Sequence, residues 1–253
     1  MKKLIIGNWK MYPSSIKEAR EKFAKIKKEA GTLRNVQTII CPPFAYLGDL
    51  RKLVTGHRIA LGAQNAHALQ EGAYTGEVSP LHLQSLGVSY VILGHSERRA
   101  MGETDEIVNK KVLAAIKAGL TVVLCIGEQE RDQDGHYIGY LALQVRAALK
   151  GVKRSNLKNI IIAYEPIWAI GAHALRAASA ADALEVSISI KKNLADMYGK
   201  EGNAVPILYG GSVDAKNAGA FLGESRVDGL LVGRASLDPK IFGEILKNAE
   251  KTK

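Results

Sequence analysis

Cysteine is nearly absent from this chain: Cys41 and Cys125 are the only two in 253 residues. Two thiols cannot build the disulfide framework of a small secreted protein. No Cys-x-x-Cys pair and no pair of histidines at ligand spacing occurs, so no metal site is expected. Long apolar runs are missing too. None exceeds about six residues, against the roughly 18 that a membrane-spanning helix needs. The basic start Met1-Lys2-Lys3 leads into an apolar stretch too short for a signal peptide, and no cleavage site follows. Asn-x-Ser/Thr sequons are absent. Both cysteines lie in apolar, strand-like runs. These features predict reduced core thiols, a cytoplasmic location and no membrane partner.

Acidic residues are in the minority. Thirty-five Lys+Arg against 25 Asp+Glu leave a net charge of +10. Such an excess attracts anions, either nucleic acid or small phosphorylated metabolites. The lysines are dispersed, as at Lys17, Lys22, Lys25, Lys27 and Lys28, which reads as a solvated helix face. No RNA-binding, helix-turn-helix or zinc-finger pattern accompanies them, so no nucleic-acid partner is expected.

What is present is ordinary in bulk and regular in pattern. The chain is 47% hydrophobic and 24% charged, near the globular average, which excludes disordered and collagen-like classes. Short runs rich in Val, Ile and Leu fall at 4–9, 36–41, 59–64, 90–93, 121–126, 159–164, 205–209 and 229–232. They lack polar alternation, as strands covered on both faces do. Amphipathic stretches predict helices at 14–29, 105–118, 139–149, 180–197 and 239–249, with shorter ones after Phe44, Pro80 and Asp214. Ser14 or Ser15 with Glu18 suggests a capping box, and Asp238-Pro239 an N-cap followed by a first-turn proline. Eight units in 253 residues leave about 32 residues each, enough for a βα crossover. No Pro/Gly/Ser-rich linker divides the chain. The pattern predicts one α/β domain over 1–253, a (β/α)8 barrel with eight parallel strands. The alternative, an open doubly wound sheet, usually carries GxGxxG after its first strand, and Asn8-Trp9-Lys10 stands there instead.

In such a barrel chemistry collects at the C-terminal ends of the strands. Lys10 follows the first strand, where it either points a charge into the barrel mouth or snorkels at the surface. His95 follows the fourth, ahead of Ser96-Glu97. If these open a helix, its positive end lowers the imidazole pKa; otherwise His95 is a satisfied polar residue. Glu165 follows the sixth in an apolar neighbourhood that would raise its pKa and suit it as a base, unless an unseen cation pairs with it. The seventh and eighth strands lead into Gly210-Gly211-Ser212 and Gly233-Arg234. Those turns are either plain tight turns or a cradle of backbone N–H groups for one phosphate.

Together these residues resemble the triosephosphate isomerase family. The matching stretches are Gly-Asn-Trp-Lys at 7–10, Ala-Gln-Asn at 63–65, Gly-Ala-Tyr-Thr-Gly-Glu at 72–77 and Gly-His-Ser-Glu-Arg-Arg at 94–99. Leu-Cys-Ile-Gly-Glu at 124–128, Ala-Tyr-Glu-Pro-Ile-Trp-Ala-Ile-Gly at 163–171 and Tyr-Gly-Gly-Ser-Val at 209–213 continue the series. The resemblance spans essentially the whole chain. It implies a TIM barrel that isomerises glyceraldehyde 3-phosphate and dihydroxyacetone phosphate in glycolysis and gluconeogenesis, without a cofactor and as a homodimer.

The family is a known case of paired pKa tuning, and its roles carry over residue by residue. The resemblance implies Glu165 as the base and a neutral His95 as the electrophile. Lys10 supplies positive charge with Asn8 beside it, and Glu97 supports Lys10. Backbone N–H groups of Gly171, Ser212, Gly233 and Arg234 would hold the phosphate. Pro166, Ile167, Trp168, Ala169 and Ile170 would form a lid. Thr75 would reach the partner subunit's active site. The sequence departs from the family at Ala172-His173-Ala174, where Thr-Gly-Lys is usual, and at Gly233-Arg234, usually Gly-Gly. The stretch 99–103 is one residue short. Two other readings are a different phosphosugar barrel and a catalytically weak basic binding protein.

Overall fold

Eight short strands, each rich in branched aliphatic residues, alternate with helices along the chain. The structure, a computed structural model, describes residues 2–170 and 176–252. The strands are β1 (Lys3–Asn8), β2 (Val36–Cys41), β3 (Ile59–Ala63), β4 (Tyr90–Leu93), β5 (Thr121–Ile126), β6 (Ile160–Tyr164), β7 (Ile207–Tyr209) and β8 (Gly229–Val232). All pair in parallel in chain order, and β8 returns to β1, so the barrel is closed. The seam sets Leu4 beside Gly229 and Gly7 beside Val232. The buried indole of Trp9 braces the same seam by donating from Nε1 to the Ser236 carbonyl at 3.2 Å.

The strands are buried on both faces, which explains why they read as unbroken apolar runs. Ile6, Ile39, Ile92, Val123, Ile161, Leu208 and Leu231 fill the barrel interior, with Cys41, Cys125 and Ala163 in the same cluster. Both cysteines are free and buried. The opposite strand face packs against the helices in a larger shell that includes Phe23, Val112, Val145, Ile190 and Phe242.

The helices are α1 (Ile16–Ala30), α2 (Phe44–Arg51), α3 (Pro80–Ser85), α4 (Ser96–Ala100), α5 (Asp105–Lys117), α6 (His136–Ala148), α7 (Ala180–Tyr198), α8 (Ala218–Glu224) and α9 (Pro239–Lys251). Ser15 caps α1 through the Glu18 N–H, and Asp238 caps α9 through those of Lys240 and Ile241. Several boundaries shift by one to three residues from the sequence pattern, and three of the shifts have a visible cause. α6 begins at His136 rather than 139, because Asp132 accepts from the N–H groups of His136 and Tyr137 at 2.9 Å each. β7 starts at Ile207 rather than 205, since Pro206 has no N–H for the ladder. β3 stops at Ala63, and Gln64 turns its side chain to other work. No helix among the described residues is long and apolar enough to cross a membrane.

Candidate active site

The C-terminal ends of β1, β4, β6, β7 and β8 surround a cavity of about 470 Å³, lined by Asn8, Lys10, His95, Glu97, Glu165, Ile170, Ser212, Gly233 and Arg234. Nine of the residues singled out in the sequence thus meet on one rim.

Lys10 leaves β1 with a left-handed backbone, φ 52°, uncommon for a residue with a side chain. Two contacts hold that turn. The Lys10 N–H donates to Asn8 Oδ1 at 3.0 Å, and its carbonyl accepts from Gln64 Nε2 at 2.8 Å. The side chain does not snorkel away: Nζ lies 2.5 Å from Glu97 Oε1. In the sequence Gln64 reads as the last residue of the third strand run and as part of the 63–65 motif. The structure ends β3 at Ala63, which sets Gln64 just past a strand end, where its side chain serves the site.

His95 sits at the N-cap of α4, where the sequence placed a helix opening. Its Nδ1 accepts from the Glu97 N–H at 3.2 Å, so that nitrogen carries a lone pair and the ring proton belongs on Nε2. Nε2 faces Glu165 Oε1 at 3.0 Å. The other carboxylate oxygen, Oε2, accepts from the Ser96 N–H at 2.9 Å. Ser96 was not among the expected site residues. As first residue of α4 its N–H is one of the orphan donors of a helix start, which is the signal that would have found it.

These contacts reverse two expectations. Burial does act to raise the pKa of Glu165, but the imidazole and the Ser96 N–H outweigh it, and the carboxyl sits below its ordinary value. Burial likewise acts to lower the pKa of His95, but the Glu165 charge at contact distance turns the net shift upward. The sequence put these residues far apart and gave no sign that each would be the other's main perturber. The helix end still governs the tautomer, because a second proton would have to enter at Nδ1 against the Glu97 N–H.

Glu165 is placed by backbone. Its N–H donates to the Ile126 carbonyl at 2.8 Å. A Cβ at Gly127 would stand 1.8 Å from the Glu165 carbonyl oxygen, so only glycine fits there. After it, Pro166 leads into a 3-10 turn, Ile167–Ala169, with Trp168 buried and Ile170 on the cavity rim. Across the mouth, the N–H groups of Ser212, Gly233 and Arg234 find no acceptor among the described residues. Arg234 also starts a 3-10 turn, Arg234–Leu237. Gly171 and the variant stretch 172–174 lie outside the described residues. Thr75 is exposed and lines no part of this cavity.

The comparisons with known proteins agree with this geometry. The family model described as "Triosephosphate isomerase" matches residues 3–249. The chain belongs to the triosephosphate isomerase family. It is 44% identical over 248 residues to the triosephosphate isomerase of Thermoanaerobacter pseudethanolicus, covering 96% of this chain and 98% of that one. To that of Dehalococcoides mccartyi it is 45% identical over 249 residues, covering 97% and 96%. The crystal structure of triosephosphate isomerase from Bartonella henselae superposes with a TM-score of 0.88 at 36% identity, covering 99% of this chain and all of that one.

One further group of possible metal donors lies away from the family site. Asp132, Asp134 and His136 bring their donor atoms within 4.8 Å of one another. Asp132 is already engaged in capping α6.

Proposed function

We propose that Glu165 is the base that carries a proton between two adjacent carbons of a triose phosphate, with His95 and Lys10 stabilising the enediolate between. The isomerisation of triose phosphates, a step of glycolysis, is the activity that family membership gives this enzyme. We read it as serving gluconeogenesis as well, in the cytoplasm, through one catalytic domain over 1–253. One observation carries the assignment: a carboxylate, an imidazole N–H and an ammonium converge on one small cavity.

The steps follow from those groups. The carboxylate removes a proton from the carbon beside the carbonyl, and the C–H electron pair moves to the carbonyl oxygen. His95 Nε2–H donates to the oxygen where charge appears, and Lys10 adds a positive charge. Each such preplaced donor is worth roughly 3–4 kcal/mol. The imidazole then moves a proton between the two oxygens, and protonated Glu165 returns its proton to the neighbouring carbon. No step asks for a metal or cofactor. Asn8 holds the Lys10 turn, and Glu97 supports both Lys10 and the His95 tautomer. The N–H groups of Ser212, Gly233 and Arg234, without an acceptor among the described residues, suit a phosphate, and the family resemblance would add Gly171 to them. Residues 166–170 act as a lid whose closure excludes water and protects the enediolate from losing phosphate.

A coupled assay with each triose phosphate in turn tests the reading, and no turnover in either direction would overturn it. In the same assay Lys10→Met should raise KM and lower kcat together, because a dianion loses its nearest cation. Near-normal kinetics at low salt would return Lys10 to the surface role.

We further propose a homodimer. Met11, Tyr12, Phe44, Leu69, Tyr74 and Met101 are all exposed, all following the first four strands. A cluster of that kind on one side of a barrel suits an interface. Thr75, beside Tyr74 on the exposed 72–77 loop, would reach the partner's site. Thr75→Arg should therefore yield monomers and lower activity together. Sedimentation of the parent as a monomer at micromolar concentration would remove the proposal.

A further inference from the structure

We propose that the side chain of Arg234 is a further substrate-binding group, its guanidinium joining the backbone N–H groups on the substrate phosphate. The inference rests on the phosphate reading above and goes past it: an N–H group offers a partial charge, whereas a guanidinium offers a whole one. Position 234 is where the chain departs from the Gly-Gly usual in the family. Nothing in the backbone asks for glycine there. Lys10 and Arg226 are the only described non-glycine residues with positive φ, so the conformation of Arg234 accepts any side chain.

The turn that carries Arg234 is anchored without help from its side chain. The Gly233 carbonyl accepts from the Ser236 N–H at 2.9 Å and from the Ser236 hydroxyl at 2.7 Å. The Ser236 carbonyl in turn receives the Trp9 indole N–H. A Cβ placed on Gly233 would stand 3.7 Å from Lys10 Cε, so the end of β8 lies against the stem of Lys10. Arg234 follows directly, lines the same cavity and is exposed.

The charges of the rim show what a cation adds there. With His95 neutral, the ionised groups lining the cavity are Lys10, Glu97, Glu165 and Arg234. Lys10 Nζ is already 2.5 Å from Glu97 Oε1, and Glu165 is engaged by His95 and the Ser96 N–H. Arg234 belongs to neither pair, and no carboxylate among the described residues pairs with it. Without Arg234 the lining would set one cation against two carboxylates, an unfavourable balance for a phosphate of about −1.5 to −2. With Arg234 the lining is neutral, and the cation not committed to a carboxylate stands beside the N–H groups of Gly233 and Ser212. A guanidinium there meets phosphate oxygens in a two-point contact and attracts the anion from a distance.

Arg234→Gln removes the charge and keeps a polar stem and the backbone N–H. At low ionic strength inorganic phosphate should bind this variant about three- to tenfold more weakly than the parent, by calorimetry and by competitive inhibition alike. kcat/KM for glyceraldehyde 3-phosphate should fall by a similar factor. Arg234→Lys keeps the charge but loses the fork, and should recover most of the loss. Raising the salt from about 0.05 M to about 0.5 M should shrink the gap between parent and Arg234→Gln to within about twofold, because salt screens an exposed charge. Equal phosphate affinity in parent and Arg234→Gln at low salt overturns the proposal. So does tighter binding by Arg234→Gln, which would make the side chain an obstruction. So does an Arg234→Lys protein no better than Arg234→Gln, which would trace the loss to shape rather than charge. A parent that inorganic phosphate does not inhibit competitively would sink the phosphate reading itself, and this proposal with it.

Discussion

Glu165→Gln should cost about 10²–10⁴ in kcat, the usual contribution of a positioned general base, with little change in KM. The substitution is nearly isosteric. The amide oxygen still accepts from a backbone N–H such as that of Ser96, but no atom of the side chain takes up a carbon-bound proton. A coupled assay beside a thermal melt separates loss of chemistry from loss of fold. Activity within a few-fold of the parent would remove Glu165 from its role. The pH profile supplies a second check on the parent enzyme. The base must be ionised, and its pKa in the empty site is held below the ordinary value. The Glu165 limb of kcat/KM should therefore appear only as pH drops below about 4.5, the unperturbed range of glutamate. A limb nearer pH 6 belongs to the second ionisation of the substrate phosphate.

The largest loss of stability is expected at Lys111, whose ammonium is buried between Glu103 and Asn65. Nζ donates to Glu103 Oε1 at 2.5 Å and to Asn65 Oδ1 at 2.9 Å. Glu103 is also buried and receives Arg98 at 2.6 Å. Lys111→Met removes one cation and leaves the carboxylate short of partners, a change that typically costs about 3–5 kcal/mol. For a chain of this length that corresponds to a Tm lower by about 6–20 °C. Replacing the pair together, Lys111→Met with Glu103→Leu, should recover most of the loss, since no charge is then left stranded. Burial pushes the pKa of Glu103 up, but Lys111 and Arg98 outweigh it and hold the carboxyl below its ordinary value. The stability it contributes is complete above the unfolded pKa near 4.5 and is lost as pH falls through the lower folded value. A parent melt that is flat between pH 5 and pH 2 would contradict this account.

The strands and most helix starts were legible because their causes are local. Asp238 and Ser15 cap the helices that follow them, and a run such as Ile160–Tyr164 declares a strand covered on both faces. The early start of α6 was not legible, because its capping carboxylate lies several residues upstream at Asp132. The site was legible as a set of positions but not as a set of charges. Lys10, His95 and Glu165 could be placed at strand ends by counting. Their protonation depends on contacts that the closed ring creates: Glu97 on Lys10, and Ser96 and His95 on Glu165. The apolar surroundings of Glu165 suggested a raised pKa because neighbours in sequence were the only neighbours visible. Arg131 and Arg176, whose guanidinium groups lie over the Trp168 ring, were hidden for the same reason, one on the β5–α6 connection and one just ahead of α7.

The β1–β8 seam bears on how the chain is made. Residues 4 and 229 lie side by side there, and a Cβ at Gly229 would meet the Leu4 carbonyl at 1.9 Å. A ribosome releases β1 before the other seven strands and β8 after them. Throughout synthesis β1 therefore keeps one edge without its final neighbour, an open template for other chains. A nascent chain halted before residue 229 lacks the strand that closes the ring, although Lys10, His95 and Glu165 have all been translated. Only the addition of β8 turns a curled sheet with two free edges into a cylinder with none.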